Sequence, residues 1–210
     1  MNFYENMKKS IIIPIIASII IVSGVVLLLL DDYNNSIPEF TKVGLLFPTS
    51  GDFSTSGNEN AIASQMAIND FNQYLKNQKA SWELVGINAN SETSPEMALE
   101  IVKEFHSNDI DIIIGPETSS ELSLIKPYAD QNGLLIFSPS STAPSLAVKD
   151  NIFRLAPDDT HQGHVITTLL EQKDIKAIVM LTRDDTWGND LSKSITDSYF
   201  IDGIHAPKIE

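Results

Sequence analysis

An α/β fold, a parallel sheet with helices on both faces and one membrane-spanning helix before it, is what this sequence predicts. Three observations carry that expectation. Short apolar runs alternate with stretches of helical period from residue 42 to about residue 200. The runs are apolar throughout rather than alternating, as strands covered on both faces are. The order reads β-α-β-α-β-α-β, the pattern of parallel strands joined through helices.

The apolar stretch IIIPIIASIIIVSGVVLLLL, residues 11–30, carries no charge, and as a helix would span about 30 Å, the thickness of a bilayer core. Lys8 and Lys9 precede it and Asp31 and Asp32 follow it. The positive-inside bias then places the N-terminus in the cytoplasm and the remainder outside, as a single-pass protein of the cell membrane. The run ends VVLLLLDD with no small-residue cleavage site, which favours an uncleaved anchor over a signal peptide. Pro14 is tolerable in such a helix. Residues 31–40, DDYNNSIPEF, read as a polar tether.

The first strand is KVGLLF (42–47), stopped by Pro48, and a loop rich in glycine and hydroxyls follows at 48–58. From Glu59 to Leu75 the spacing of Ile62, Met66, Phe71 and Leu75 predicts an amphipathic helix. WELVGINA (82–89) is the second strand. Ser94 and Pro95 begin a helix, the hydroxyl as cap and the proline in the first turn, with Met97, Ile101 and Phe105 along one face. DIDIIIG (109–115) is the third strand, and the helix after it presents Leu122, Ile125 and Ala129. GLLIF (133–137) is the fourth strand. After residue 159 come a helix from about Thr160 to Leu170, a strand KAIVML (176–181) and a helix from about Asn189.

Composition narrows the function. The chain has 210 residues, 42% apolar and 20% charged, with a net charge of −14, which suits a globular protein and opposes nucleic-acid binding. There is no cysteine, so disulfides, thiolate metal sites and cysteine nucleophiles are excluded, while the redox compartment stays open.

Ligands of open parallel sheets bind at the carboxyl ends of the strands. Four loops emerge there, PTSGDFSTSG, NSETSP, PETSS and SPSSTAP, all rich in serine and threonine. Hydroxyls beside the free N–H groups of the helix that starts near Ser119 suit an anionic group such as a carboxylate. Any one of these serines serves equally as a cap or a turn residue. Motifs for catalysis are thin. SLIK (123–126) matches an S-x-x-K pattern but lies inside a predicted helix without its companion motifs. His161 and His164, beside Asp158 and Asp159, read as solvated residues of a helix start rather than metal ligands. No cofactor is expected, and nothing points to an enzyme.

Four segments, VGLLFPTSGDFSTSGNENAIASQMAINDFN, IDIIIGPETSSELSLIKPYADQNGLLIFSPSSTAPSL, FRLAPDDTHQG and RDDTWGNDLS, occur in this order. Together they resemble the type I periplasmic binding proteins, above all the branched-chain amino acid (leucine-binding) group that feeds ABC transporters. The resemblance covers roughly residues 41–200. It implies two α/β lobes with a ligand between them, here a first lobe over 41–158 and an incomplete second lobe over 159–210, after a cytoplasmic N-terminus (1–10), the anchor (11–30) and the tether (31–40). It implies further that Ser119 binds a ligand carboxylate, and that Ser140 and Thr142 hold the carboxylate and ammonium, with Ser141 beside them. Trp187 stands where an aromatic residue closes over the ligand. Ser56 stands where an aromatic residue is common, which argues against a leucine-shaped pocket, and an acidic partner for the ammonium would lie beyond Glu210. The function implied is capture of an amino acid or similar small molecule for an ABC permease. The alternatives are a sensor domain of the same fold and a truncated, non-functional fragment.

Overall fold

The computed structural model describes residues 39–201 and 204–205. The proposed anchor at 11–30 lies outside the described residues, and among those described no helix is long and apolar enough to cross a membrane. The chain divides into two compact units. The smaller includes Leu75–Glu83, where Lys79 turns the chain in the left-handed region at φ 57° and its N–H donates to the Lys76 carbonyl at 3.1 Å. All that follows on the core and the site concerns the larger, Lys42–Tyr74 with Leu84–Glu210.

The elements are β1 (Phe40–Phe47), α1 (Ser54–Asn77), β2 (Glu83–Asn90), α2 (Pro95–Ser107), β3 (Ile112–Ile114), α3 (Ser119–Asn132), β4 (Leu135–Ser138), β5 (Ile152–Arg154), α4 (Thr160–Gln172) and α5 (Thr186–Ser198), with a short pair β6 (Phe200–Ile201) and β7 (Ile204–His205). The sheet order is β2-β1-β3-β4-β5, and β1 to β3, β3 to β4 and β4 to β5 pair in parallel. The expected parallel α/β architecture is therefore present. The order reverses direction between β1 and β3, which makes the carboxyl ends of those strands the place for a ligand.

The core confirms some helix faces and corrects others. Leu122, Ile125 and Ala129 of α3 are buried as expected, against Ile113, Leu134 and Ile136. On α1, by contrast, Ile62 and Met66 point outward at 62% and 61% exposure. The face that packs on Val43, Leu45 and Phe47 carries Ala61 and Ile68 instead. On α2 Phe105 is buried as expected, together with Ala98 and Val102; Ile101 packs partly buried against the same core, while Met97 is exposed. α1 also begins five residues before Glu59; its hydroxyl-rich first turn resembles a loop in sequence because such residues suit helix starts.

Two further differences concern the second half. Residues 152–154, inside NIFRLAP, form β5 at the edge of the sheet. The run 176–181, expected as a strand, belongs to no sheet among the described residues. A strand is defined by its ladder, and no described strand lies alongside this run to form one; Val179 and Leu181 are 79% and 95% exposed.

The SLIK lysine has a structural task. Lys126 pairs with Asp130 and Asp150, the latter a carboxylate 6% exposed. Burial pulls the Lys126 pKa down, but hydrogen bonds and charge from both aspartates outweigh it and hold the pKa above 10.5. A raised lysine pKa stabilises the fold fully below its unfolded value and stops doing so as pH climbs through the folded one. The urea stability difference between the native chain and Lys126→Met is thus expected to be constant to about pH 9 and to narrow above about pH 10.5. A difference unchanged at about pH 11.5 would refute this reading of the pair.

Candidate ligand-binding site

The site is built from the loops that leave β1, β3 and β4. After β3, Gly115 turns the chain at φ +114° into Pro116, Glu117 and the cap of α3. Thr118 Oγ1 accepts from the Glu121 N–H at 3.2 Å, and Glu121 Oε2 accepts from the Thr118 N–H at 2.9 Å. This reciprocal capping box, with Glu121 wholly buried, fixes the helix start rigidly.

The loop after β4 is stitched to it hydroxyl by hydroxyl. Ser119 Oγ accepts from the N–H groups of Thr142 and Ala143, both at 3.2 Å, and pairs with the Ser141 hydroxyl at 3.1 Å. Ser138 Oγ donates to the Pro116 carbonyl at 2.9 Å, and Ser140 Oγ donates to the Glu117 carbonyl at 2.7 Å. The hydroxyls that the sequence supplies in excess of a turn's needs therefore join two loops into one surface.

Thr142 is oriented from a third direction. Its Oγ1–H donates to Asp159 Oδ2 at 2.7 Å, while the Asp159 N–H donates to the Thr142 carbonyl at 2.9 Å. With its hydrogen given to a buried carboxylate, the Thr142 oxygen presents lone pairs and suits a donor such as an ammonium. Neighbouring Asp158 has its pKa lowered, chiefly by the Thr160 hydroxyl and N–H, with Arg154 and His161 adding charge.

Glu117, Thr118, Ser119, Ser140 and Thr142 line a cleft of about 200 Å³ together with Phe53, Arg183 and Trp187. Arg183 Cζ lies over the Phe53 ring at 5.1 Å and over the Trp187 ring at 5.3 Å, and the guanidinium pairs with Asp185. Asp185 also caps α5, accepting from the Gly188 N–H at 2.8 Å. Glu117 is 7% exposed and accepts from Asn60 Nδ2 at 2.6 Å. The arrangement can hold a small polar molecule by fixed hydroxyls, amides and one charge of each sign.

A family model described as the receptor family ligand-binding region matches residues 59–205. The chain belongs to that family, the type I periplasmic binding proteins. A leucine-specific-binding protein of Salmonella typhimurium is 25% identical over 197 residues, 89% of this chain and 52% of its own length. An uncharacterised protein of Methanocaldococcus jannaschii is 29% identical over 171 residues, 78% of this chain and 41% of that one. The crystal structure of an ABC transporter substrate-binding protein from Desulfitobacterium hafniense, in complex with Leu, superposes with a TM-score of 0.58 at 25% identity, covering 80% of this chain and 49% of the other. A branched-chain amino acid transporter substrate-binding protein from Streptococcus pneumoniae, in complex with isoleucine, gives a TM-score of 0.65 at 20% identity over 76% of this chain and 47% of the other. The chain thus spans about half the length of the relatives it matches.

Within this periplasmic-binding-protein frame, Ser119, Ser140, Thr142 and Trp187 all line the cleft. Ser141 and Ser56 do not. Ser141 is wholly buried behind the loop, and Ser56 Oγ donates to the Phe53 carbonyl at 3.2 Å within the first turn of α1. Four lining residues, Phe53, Glu117, Thr118 and Arg183, were not singled out in sequence. For Glu117 and Thr118 a signal existed, since both lie in the PETSS segment; for Arg183 it was the neighbouring TWG. Lys126 of SLIK is engaged by Asp130 and Asp150. No group of three metal-ligating side chains occurs among the described residues.

Proposed function

We propose that this chain is the ligand-capturing part of a solute-binding protein, one that binds an amino acid or similar small molecule without turnover and delivers it to an ABC permease. In this reading residues 11–30 tether it to the cell membrane with the ligand-binding part outside. The observation that carries it is the stitching of the Ser138–Ala143 loop, which leaves β4, to the start of α3, which borders the β1/β3 switch point. Such a rigid surface of hydroxyls and amides binds a charged head group at little ordering cost. The leucine-binding relative and the leucine-bound structural neighbour, each 25% identical, support an amino acid as the ligand.

Calorimetric titration of the full chain in detergent with the common amino acids tests the reading. Saturable binding of at least one is the expected result, and no binding of any overturns it. Thr142→Val removes the oxygen that faces the cleft and leaves Asp159 without that donor. It is expected to weaken the bound amino acid by roughly tenfold or more, and unchanged affinity would remove Thr142 from the site.

A further inference from the structure

A head-group clamp has no use for Arg183. The residue follows the run 176–181 and lines the cleft beside Trp187. Two rings lie within 5.3 Å of its guanidinium carbon, and such stacking engages the flat faces of the group while leaving its in-plane N–H donors for acceptors. Among the described residues Asp185 is the acceptor recorded for it, bound through Nη2, and the side chain remains 46% exposed. A rigid donor edge therefore stands at the cleft with capacity to spare. Glu117, an acceptor already present on the clamp side, supplies the opposite charge.

With its head group held at the Ser119–Thr142 loop, a ligand would turn its side chain toward this lining. An aliphatic group seated there would strip water from the guanidinium and return no acceptor, and the loss of hydration outweighs burial of a few methylenes. An anionic group would gain charge-assisted, fork-shaped hydrogen bonds instead. We propose that the ligand of this cleft is an α-amino acid with a second, anionic group on its side chain, that group held by Arg183 and the ammonium by Glu117 and the Thr142 oxygen. The proposal rests on the solute-binding reading above and narrows its substrate class.

The test is titration of the full chain in detergent with L-glutamate, L-aspartate, L-glutamine, L-leucine and L-isoleucine. At least one acidic amino acid is expected to bind about tenfold more tightly than either aliphatic one, and L-glutamate about tenfold more tightly than its neutral isostere L-glutamine. Arg183→Met is expected to remove most of the preference for the acidic ligands, lowering the ratio of glutamate to leucine affinity about tenfold. The glutamate–glutamine comparison needs no variant and decides the matter even where Arg183→Met fails to fold. Leucine or isoleucine binding as tightly as the acidic pair, or glutamate and glutamine binding alike, overturns the assignment of Arg183 and leaves the solute-binding reading standing. No binding of any of the five overturns the assignment outright, and only the wider titration with the common amino acids then decides the solute-binding reading.

Discussion

Ser119→Ala is expected to cost at least about a hundredfold in amino acid affinity, more than any other single hydroxyl in the cleft. The reason is the number of groups that depend on one oxygen. Ser119 is 3% exposed, and its Oγ takes the N–H groups of both Thr142 and Ala143 as well as the Ser141 hydroxyl. Alanine leaves two backbone donors orphaned in a place where water has little access, at about 1–3 kcal/mol each. The loop then gives up the conformation that presents Thr142, so binding falls together with stability. Calorimetry measures the first loss and the urea midpoint the second. Ser141→Ala removes only the hydroxyl pair and is expected to cost no more than about 1 kcal/mol and to spare most of the affinity. Equal effects from the two substitutions would show that Ser119 does not organise the loop.

Gly115→Ala is expected to be the most destabilising small substitution near the site. At φ +114° the residue lies outside the regions open to side chains, and an added Cβ would stand 2.0 Å from the Leu46 carbonyl oxygen. That oxygen belongs to Leu46, fully buried near the carboxyl end of β1, and has no room to retreat. Backbone strain of about 1–3 kcal/mol adds to the overlap, so a loss of at least about 3 kcal/mol is expected, roughly 6–12 °C in Tm for a chain of this size. Gly133 provides the contrast. It too is left-handed, at φ 69°, but an added Cβ meets nothing within 4 Å. Gly133→Asn is expected to cost less than about 1 kcal/mol, since asparagine tolerates that conformation. Thermal melts of the two variants compare them directly, and a Gly115→Ala protein as stable as Gly133→Asn would refute the steric account.

Much of this was legible in sequence because the signals were local. A proline after a serine announced α2, and Ser94 does cap it through the Met97 N–H. Continuous apolar runs announced β1, β3 and β4, since a strand covered on both faces has no polar side to display. On α1 and α2 the expected Leu75 and Phe105 are buried, but Ile62, Met66 and Met97 face outward, and Ala61 and Ala98 pack inward. β5 escaped notice because three residues at a sheet edge carry almost no period. In the site, the facing of PETSS and SPSSTAP followed from topology alone. The division of labour among their hydroxyls did not, for which serine braces and which is exposed depends on atoms brought together from 20 residues away or more, as with Ser119 and Ala143. Arg183 is the extreme case, since its stack on Phe53 joins positions that no pattern links.

The run 176–181 also bears on how this protein behaves when handled. Its apolar side chains, Val179 and Leu181 foremost, stand in solvent, and its backbone joins no sheet among the described residues. Backbone of that kind is adhesive, because a strand from any nearby chain can complete the ladder. Two copies meeting at this run would associate edge to edge, faster at higher concentration and temperature. The part of the molecule that bears Arg183 and Trp187 is thus also where aggregation is expected to begin, so storage at low protein concentration protects the cleft as well as the solubility.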